Sequence, residues 1–379
     1  MKVAIAVHGR FHAFELATQL HKRGMLRQLA TTYPKLIARR FLPSGVSLRT
    51  APRLEARRRL RDSLSFGAVT DTQIARAFGA FAAKTLPLDA DIFVGWSGAS
   101  LEAARLAKDR GIKVVIERGS THIAHQTHVL TEEYAHFKLR HTPTELGVIE
   151  RELEEYALAD AIAVPSTVAR ESFISNGVPE KRLMVIPYGV DLNLFSEAIR
   201  APQERLRVLF VGAVGVRKGI PWLLRAFASL AHLADLHLIG PVEDGMDEIF
   251  ATEPMTSVVV RGPVRGDRLP AEYAKADVFC LPSIEEGMGL VVLQAMASGL
   301  PVVISDQTGA KDVVSPGVDG LIVPARDVSA LSEALESLLE DRERAEAMGQ
   351  AARQKVASGY SWDDYGTRVV AAYERVLVP

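Results

Sequence analysis

The chain has 379 residues, of which 48% are hydrophobic and 24% charged; this is the balance of folded domains with material for two cores, and it excludes a disordered chain. Its 45 Lys and Arg offset 46 Asp and Glu, for a formal net charge of −1, so the basic domain of a dedicated nucleic-acid binder is not expected. Cys280 is the single cysteine, which excludes an intrachain disulfide and a cysteine zinc cage; it lies in an apolar run and reads as a buried strand residue.

Residues 3–7 form a short apolar run with no small-residue cleavage site behind it, which predicts a strand and not a signal peptide. No run reaches the roughly 20 apolar residues of a spanning helix, so a cytoplasmic protein is expected. Helical periodicity follows over 13–23 and stops at Gly24. Strands are predicted at 92–94, 114–117, 161–164 and 183–187, with helices at 101–110, stopped by Gly111, and at 145–158. Residues 191–205 turn polar and contain Pro202, as a linker would. The pattern then restarts, with strands at 206–211, 236–239, 258–261, 278–281, 302–304 and 321–323. A last segment, 361–376, is apolar at 362, 365, 369, 373 and 376 and predicts a helix packed onto other structure.

Such alternation means parallel sheets covered by helices. The expected fold is therefore α/β, with two doubly wound, Rossmann-like domains at 1–195 and 203–358 and a C-terminal helix, 360–379, crossing back to the first. Ligands bind beyond the carboxyl ends of such strands, so two sheets facing each other place a site in the cleft between them.

Two motifs give that site a chemistry. Glu285-Glu286-Gly287-Met288-Gly289-Leu290 joins a strand to a helix, with glycines where backbone must approach a ligand. Free N–H groups at the helix start suit phosphate, and carboxylates just before them suit sugar hydroxyls, so the pair suits a sugar joined to a diphosphate. The plainer reading is that Glu286 caps the helix. Gly212-Ala213-Val214-Gly215-Val216-Arg217-Lys218-Gly219 follows the strand at 206–211 and offers a diphosphate clamp. It is not a Walker loop, since Gly219 follows Lys218, and taken alone an Arg-Lys pair is more often solvated surface.

With these blocks in place, the chain resembles family four of the glycosyltransferases, retaining sugar-nucleotide enzymes of the GT-B fold. The resemblance is strongest over 206–376. It rests on Lys218-Gly219, on Pro282-Ser283 with the stretch from Glu286 to Val302, on Asp319-Gly320 through Pro324 with Asp327, on the Ser361-Trp362 helix, and on Ile186-Pro187-Tyr188-Gly189-Val190-Asp191. It implies that Lys218 and Arg217 neutralise the donor diphosphate and that Glu286 faces the donor sugar. Gly287, Met288, Gly289 and Leu290 would offer backbone N–H groups, and position 294 would hold the ribose hydroxyls. Gly215, Val264 and Gly9 complete the implied donor-binding set. No cofactor or tightly bound metal is implied, only a nucleotide-diphosphate sugar, UDP- or GDP-linked. Three positions depart from the pattern: Gln294 replaces the second glutamate of the signature, Ala213 stands where many members have arginine, and Asp312 where a glutamate is common.

The N-terminal half is expected to carry the acceptor, with Arg10, His12 and Ser97 as contacts. His122, beyond the strand at 114–117, is the candidate to touch the donor sugar, as a histidine does at such strand ends in related enzymes. His125 and His128 follow it at spacings of three, but no carboxylate lies between them to complete a metal site. The rival class is a serine hydrolase, because Gly95-Trp96-Ser97-Gly98-Ala99 nearly spells a nucleophile elbow. That fold takes its histidine late, and none occurs beyond His237. Asp89-Ala90-Asp91 mimics a metal-binding pair but leads into a strand, and no dinucleotide fingerprint follows 3–7.

Residues 35–61 hold Lys35, Arg39, Arg40, Arg49, Arg53, Arg57, Arg58, Arg59 and Arg61 against one acid, Glu55, with Leu54, Leu60 and Leu64 as an apolar face. This is either a solvated basic face or a surface for an anionic acceptor or membrane leaflet. The expected function is transfer of a sugar, with retention, to a hydroxyl of a glycan or lipid-linked acceptor. The alternative is an inactive relative that binds a nucleotide sugar or serves as a partner subunit, for which Gln294 is the support.

Overall fold

A computed structural model describes residues 1–64, 70–196 and 205–378. Pro202, in the expected linker, and the side chains of Arg61 and Leu64 lie outside the described residues.

The first sheet contains β1 (Val3–Val7), β2 (Leu26–Thr31), β3 (Leu48–Thr50), β4 (Ile92–Trp96), β5 (Lys113–Glu117), β6 (Ala161–Val164) and β7 (Leu183–Val185). Its seven strands run in the order β3-β2-β1-β4-β5-β6-β7 and all pair in parallel. The second contains β8 (Leu206–Val211), β9 (Ala234–Ile239), β10 (Val258–Val260), β11 (Val278–Leu281), β12 (Val302–Ser305) and β13 (Gly320–Val323). Its order is β10-β9-β8-β11-β12-β13, again all parallel. Helices cover both faces, so β1, β4, β6, β11 and β12 are buried along their whole length, which is why they read as unbroken apolar runs.

Strand order reverses between β1 and β4 in one sheet and between β8 and β11 in the other. These switch points open the crevices where ligands bind in doubly wound sheets. The loops leaving them carry residues 8–12 and 97–100 on one side, and 212–219 and 282–289 on the other.

Two strands were not anticipated. β2 interposes Arg27 and Gln28 in its apolar run; Gln28 is nonetheless buried, its amide donating to the Thr85 carbonyl at 2.7 Å. β3 is a three-residue edge strand within the basic segment. That segment holds a short helix, Lys35–Ala38, then β3, then the helix Pro52–Leu64, which carries Leu54 and Leu60. Glu55 is buried there and accepts from Arg58 at 3.0 Å and Arg59 at 2.8 Å.

The helix Trp362–Leu377 begins at a capping box, in which Ser361 and Asp364 exchange side-chain-to-backbone hydrogen bonds. Its buried face, Tyr365, Val369, Ala372 and Tyr373, packs across onto the first domain, against the helix Ala13–Lys22. Large apolar side chains buried this way contribute roughly 1.5–3 kcal/mol each. Gly366 lies close under the Gln19 and Arg23 side chains, and a Cβ there would sit 2.6 Å from Gln19 Oε1. Lys22 pairs with Asp363 at 2.8 Å, and the Tyr373 hydroxyl donates to Glu117 at 3.1 Å.

Candidate active site

The second domain supplies two loops that meet. Gly219 is left-handed (φ 73°), and a Cβ there would lie 2.0 Å from the Pro282 carbonyl oxygen, so the Arg217-Lys218 loop can close onto the strand β11 only with glycine at this position. The Ile284 N–H donates to the Arg217 carbonyl at 2.9 Å, which fastens the two loops together. The Lys218 ammonium lies in direct contact with the Glu286 carboxylate, and Arg217 reaches Glu285 at 3.2 Å. Burial, then Arg217, push the Lys218 ammonium down to about 7, and the carboxylates around it act the other way. Gly289 (φ 77°) precedes the helix Leu290–Ala297, whose opening N–H groups are at the cleft. A Cβ on Gly215 would meet the Glu243 carboxylate, which would have to move to admit it.

The first domain closes on this turn. A Cβ on Gly287 would lie 2.1 Å from the Gly119 carbonyl oxygen, and Ser166 donates to the Gly287 carbonyl at 2.6 Å. Glu285 reaches across to accept from Ser120 at 2.6 Å, from the Thr121 N–H at 3.0 Å and hydroxyl at 2.8 Å, and from Gln126 at 2.9 Å. Burial would raise this carboxyl, but Arg217 and these donors hold it at about 2. Glu133 reaches the other way, accepting from the Trp222 indole and from Arg326, each at 2.6 Å. Asp312 accepts from the Thr167 N–H at 2.6 Å and hydroxyl at 2.5 Å. The departure at position 312 is therefore a domain contact.

Two cavities open beside the turn. One, of about 660 Å³, lies in the first domain and is lined by His8, Trp96, Ser97, Arg118 and Glu152, with Arg217 and Glu286 at its edge. The other, of about 770 Å³, lies between Arg265, Leu269, Leu290 and Gln294 of the second domain and Phe41 and Leu194. Phe11 and His12 border both. Phe11 has φ 42°, a strained value for an aromatic residue, and its ring is 68% exposed. His12 is buried, with its Nε2 3.4 Å from Glu117 and its ring 4.1 Å from that of Tyr188.

The structure thus brings Lys218, Arg217, Glu286, His12, Ser97, Leu290 and Gln294 to the cleft. Three expected residues stand elsewhere. His122 is 3% exposed; its ring packs against Tyr156 and Phe173, and its Nδ1 accepts from the Ala124 N–H to cap the following helix. Burial and Arg118 lower its pKa to about 4, so it stays neutral, and the donor turn is met instead by Gly119 and Ser120. Arg10, expected on the acceptor side, lines the cavity that holds Gln294, with its guanidinium 3.8 Å from the Phe41 ring centre. The Val264 side chain packs on the core of the second domain, leaving Arg265 and Gly266 at the cavity wall. Met288 is likewise buried, so only its backbone can serve a ligand, and Gly9 (φ 98°) shapes the loop by accepting from Thr31 at 2.6 Å. Sequence reasoning missed Glu117, Arg118 and Tyr273, and Glu285, read with Glu286 as an acceptor for sugar hydroxyls, turns instead to Ser120, Thr121 and Gln126 of the first domain.

Two parallel doubly wound sheets facing a cleft, with a Lys-Arg loop opposed to a glycine turn, define a protein of the glycosyltransferase GT-B class. Two protein-family profiles match it: one described as Glycosyltransferase Family 4 over residues 10–194, and one described as Glycosyl transferases group 1 over residues 205–341. The chain belongs to this family of glycosyltransferases. It is 33% identical over 230 residues to the sulfoquinovosyl transferase SQD2 of Arabidopsis thaliana, a match covering 56% of this chain and 44% of that one. It is 32% identical over 232 residues to a GDP-mannose-dependent alpha-(1-6)-phosphatidylinositol monomannoside mannosyltransferase of Mycobacterium tuberculosis, covering 55% and 60%. The matched part therefore spans about half the length of these relatives. Among solved structures, sucrose-phosphate synthase of Thermosynechococcus elongatus superposes with a TM-score of 0.72 at 21% identity, covering 99% of each chain. Anabaena HepE in complex with UDP superposes with a TM-score of 0.73 at 16% identity, covering 99% of this chain and 100% of that one. These two likenesses establish the fold.

Proposed function

We propose that this chain transfers a sugar from a UDP- or GDP-linked donor to a hydroxyl of a carbohydrate or lipid-linked acceptor, with retention. The observation that carries the proposal is the turn that joins the two cavities: Arg217 and Glu286 line the first, Leu290 and Gln294 the second, and Lys218 lies in contact with Glu286. The 770 Å³ cavity takes the nucleoside and the 660 Å³ cavity the acceptor. The diphosphate lies between them, over the helix start and the two cations, where departing charge is stabilised without a bound metal. Glu286, once released from Lys218 by the phosphate, accepts from sugar hydroxyls. The leaving diphosphate takes the proton of the acceptor hydroxyl, so positioning and electrostatics are the protein's main contribution.

A lipid-linked acceptor is supported by the basic segment. Leu36 is 85% exposed among Lys35, Arg39 and Arg40, and Ile37, Phe41 and Leu60 are also exposed, which fits peripheral contact with an anionic leaflet at the cytoplasmic face. Among the described residues no helix is long and apolar enough to cross a membrane.

The test is a thermal-shift panel of UDP, GDP, ADP and their sugar conjugates, with and without magnesium. A ligand at 100 times its Kd stabilises by about 2.7 kcal/mol. A metal-free shift with UDP or GDP is expected. No shift with any of them, in folded protein, would turn the reading toward a relative that has lost its donor.

A further inference from the structure

Gln294 stands one turn into the helix Leu290–Ala297 and lines the 770 Å³ cavity. Behind it lies Tyr273, wholly buried, its ring walled by Phe195 at 5.7 Å and Phe279 at 5.9 Å between centres. Its phenol hydroxyl meets two oxygens. The Val291 carbonyl is 3.2 Å away and the Gln294 amide oxygen 3.1 Å away. A phenol has one proton to donate and an oxygen that can accept, so it cannot serve two carbonyl oxygens fully. The Val291 carbonyl is fixed by its helix. The Gln294 amide is not, because its oxygen and nitrogen exchange places by a half-turn with almost no change of shape.

We infer that Tyr273 is a positioning residue: it gives its proton to the Val291 carbonyl, accepts an N–H from Gln294, and so turns the Gln294 carbonyl oxygen into the cavity as acceptor for a ribose hydroxyl of the donor. This rests on the reading of that cavity as the nucleoside site. A carboxylate at position 294 needs no such partner, since either oxygen accepts. An amide does, because with the wrong end forward it presents N–H groups and leaves the ribose proton without an acceptor. Tyr273 and Gln294 act as one unit, and the departure at 294 changes the device that binds ribose without removing it.

The experiment is calorimetric titration of the full chain with UDP and GDP and with their 2′-deoxy and 3′-deoxy counterparts. Tyr273→Phe keeps the ring in place and frees the amide to turn. The Kd of the nucleotide that binds should rise roughly three- to tenfold, the scale of one neutral hydrogen bond, and the preference for ribose over deoxyribose should narrow. In a Gln294→Glu background the same Tyr273→Phe change should raise Kd less than twofold, because orientation no longer matters. An equal loss in both backgrounds, or no loss in either, overturns the inference and leaves Tyr273 a packing residue only. Failure of the wild-type chain to bind either nucleotide overturns the reading of the cavity itself.

Discussion

Replacing Glu285 by glutamine isolates one of the contacts that hold the two domains on each other. The carboxylate is 2% exposed and is met by Ser120, Thr121, Gln126 and Arg217. Its pKa falls from the ordinary 4.5 to about 2, a difference that makes its ionised form worth about 3 kcal/mol to the folded protein. Because the folded value is the lower one, this contribution is complete above the unfolded pKa and is lost as pH falls through the folded one. Glu285→Gln keeps the shape, cannot ionise, and turns an NH₂ group toward donors. Urea unfolding followed by tryptophan fluorescence is the assay, since Trp222 sits on the same domain boundary. At pH 7 the variant should be less stable by about 3 kcal/mol, and at pH 3.5 the deficit should shrink to about 2 kcal/mol. A deficit below 1 kcal/mol at pH 7 would refute the assignment, as would one that did not change with pH.

Lys218→Ala should lower kcat by roughly 10²–10³, the range for losing one group that stabilises developing charge; a fall below threefold in steady-state kinetics would count against its role. Gly287→Ala sets a methyl against the Gly119 and Ser120 backbone, so the domains must part; X-ray scattering should show a larger radius of gyration, and turnover should drop at least about tenfold. Reversing Arg39 and Arg40 to Glu should weaken co-sedimentation with phosphatidylglycerol vesicles by about tenfold or more, at roughly 1 kcal/mol per cation near the surface. Equal pelleting of variant and wild type would assign the segment to a solvated face.

The parts legible in the sequence are those whose signal is contiguous. β11 and β12 are buried along their whole length and β8 from Val208 onward, so they read as apolar runs, and the 285–290 turn keeps its strand, glycines and helix within one stretch. β2 was hidden because a strand beside the edge admits Arg27, and because the partner of Gln28 lies 57 residues away. Glu285 looked like a neighbour of Glu286, yet the two point to different domains; its hydrogen bonds span 164 residues to Thr121, which no local pattern records. His122 shows the opposite case. Its place just beyond a strand suggested the cleft, but a residue that becomes a helix N-cap turns its side chain back on its own backbone. The change at 294 was visible, whereas Tyr273, which gives it meaning, lies a helix and a strand upstream.

The crossing helix has a consequence for how the chain comes off the ribosome. Domains tend to fold as they emerge, N-terminal first, but this first domain is completed by the helix Trp362–Leu377, which is made only after the second sheet. Lys22 waits for Asp363, 341 residues later, and Glu117 waits 256 residues for Tyr373. Until those residues are made, the helix Ala13–Lys22 has one apolar flank bare and the buried Glu117 lacks its phenol partner. A nascent chain paused anywhere in the second domain therefore displays an unfinished first domain, a natural target for chaperones. Synthesis of the crossing helix, not of either sheet, closes the molecule.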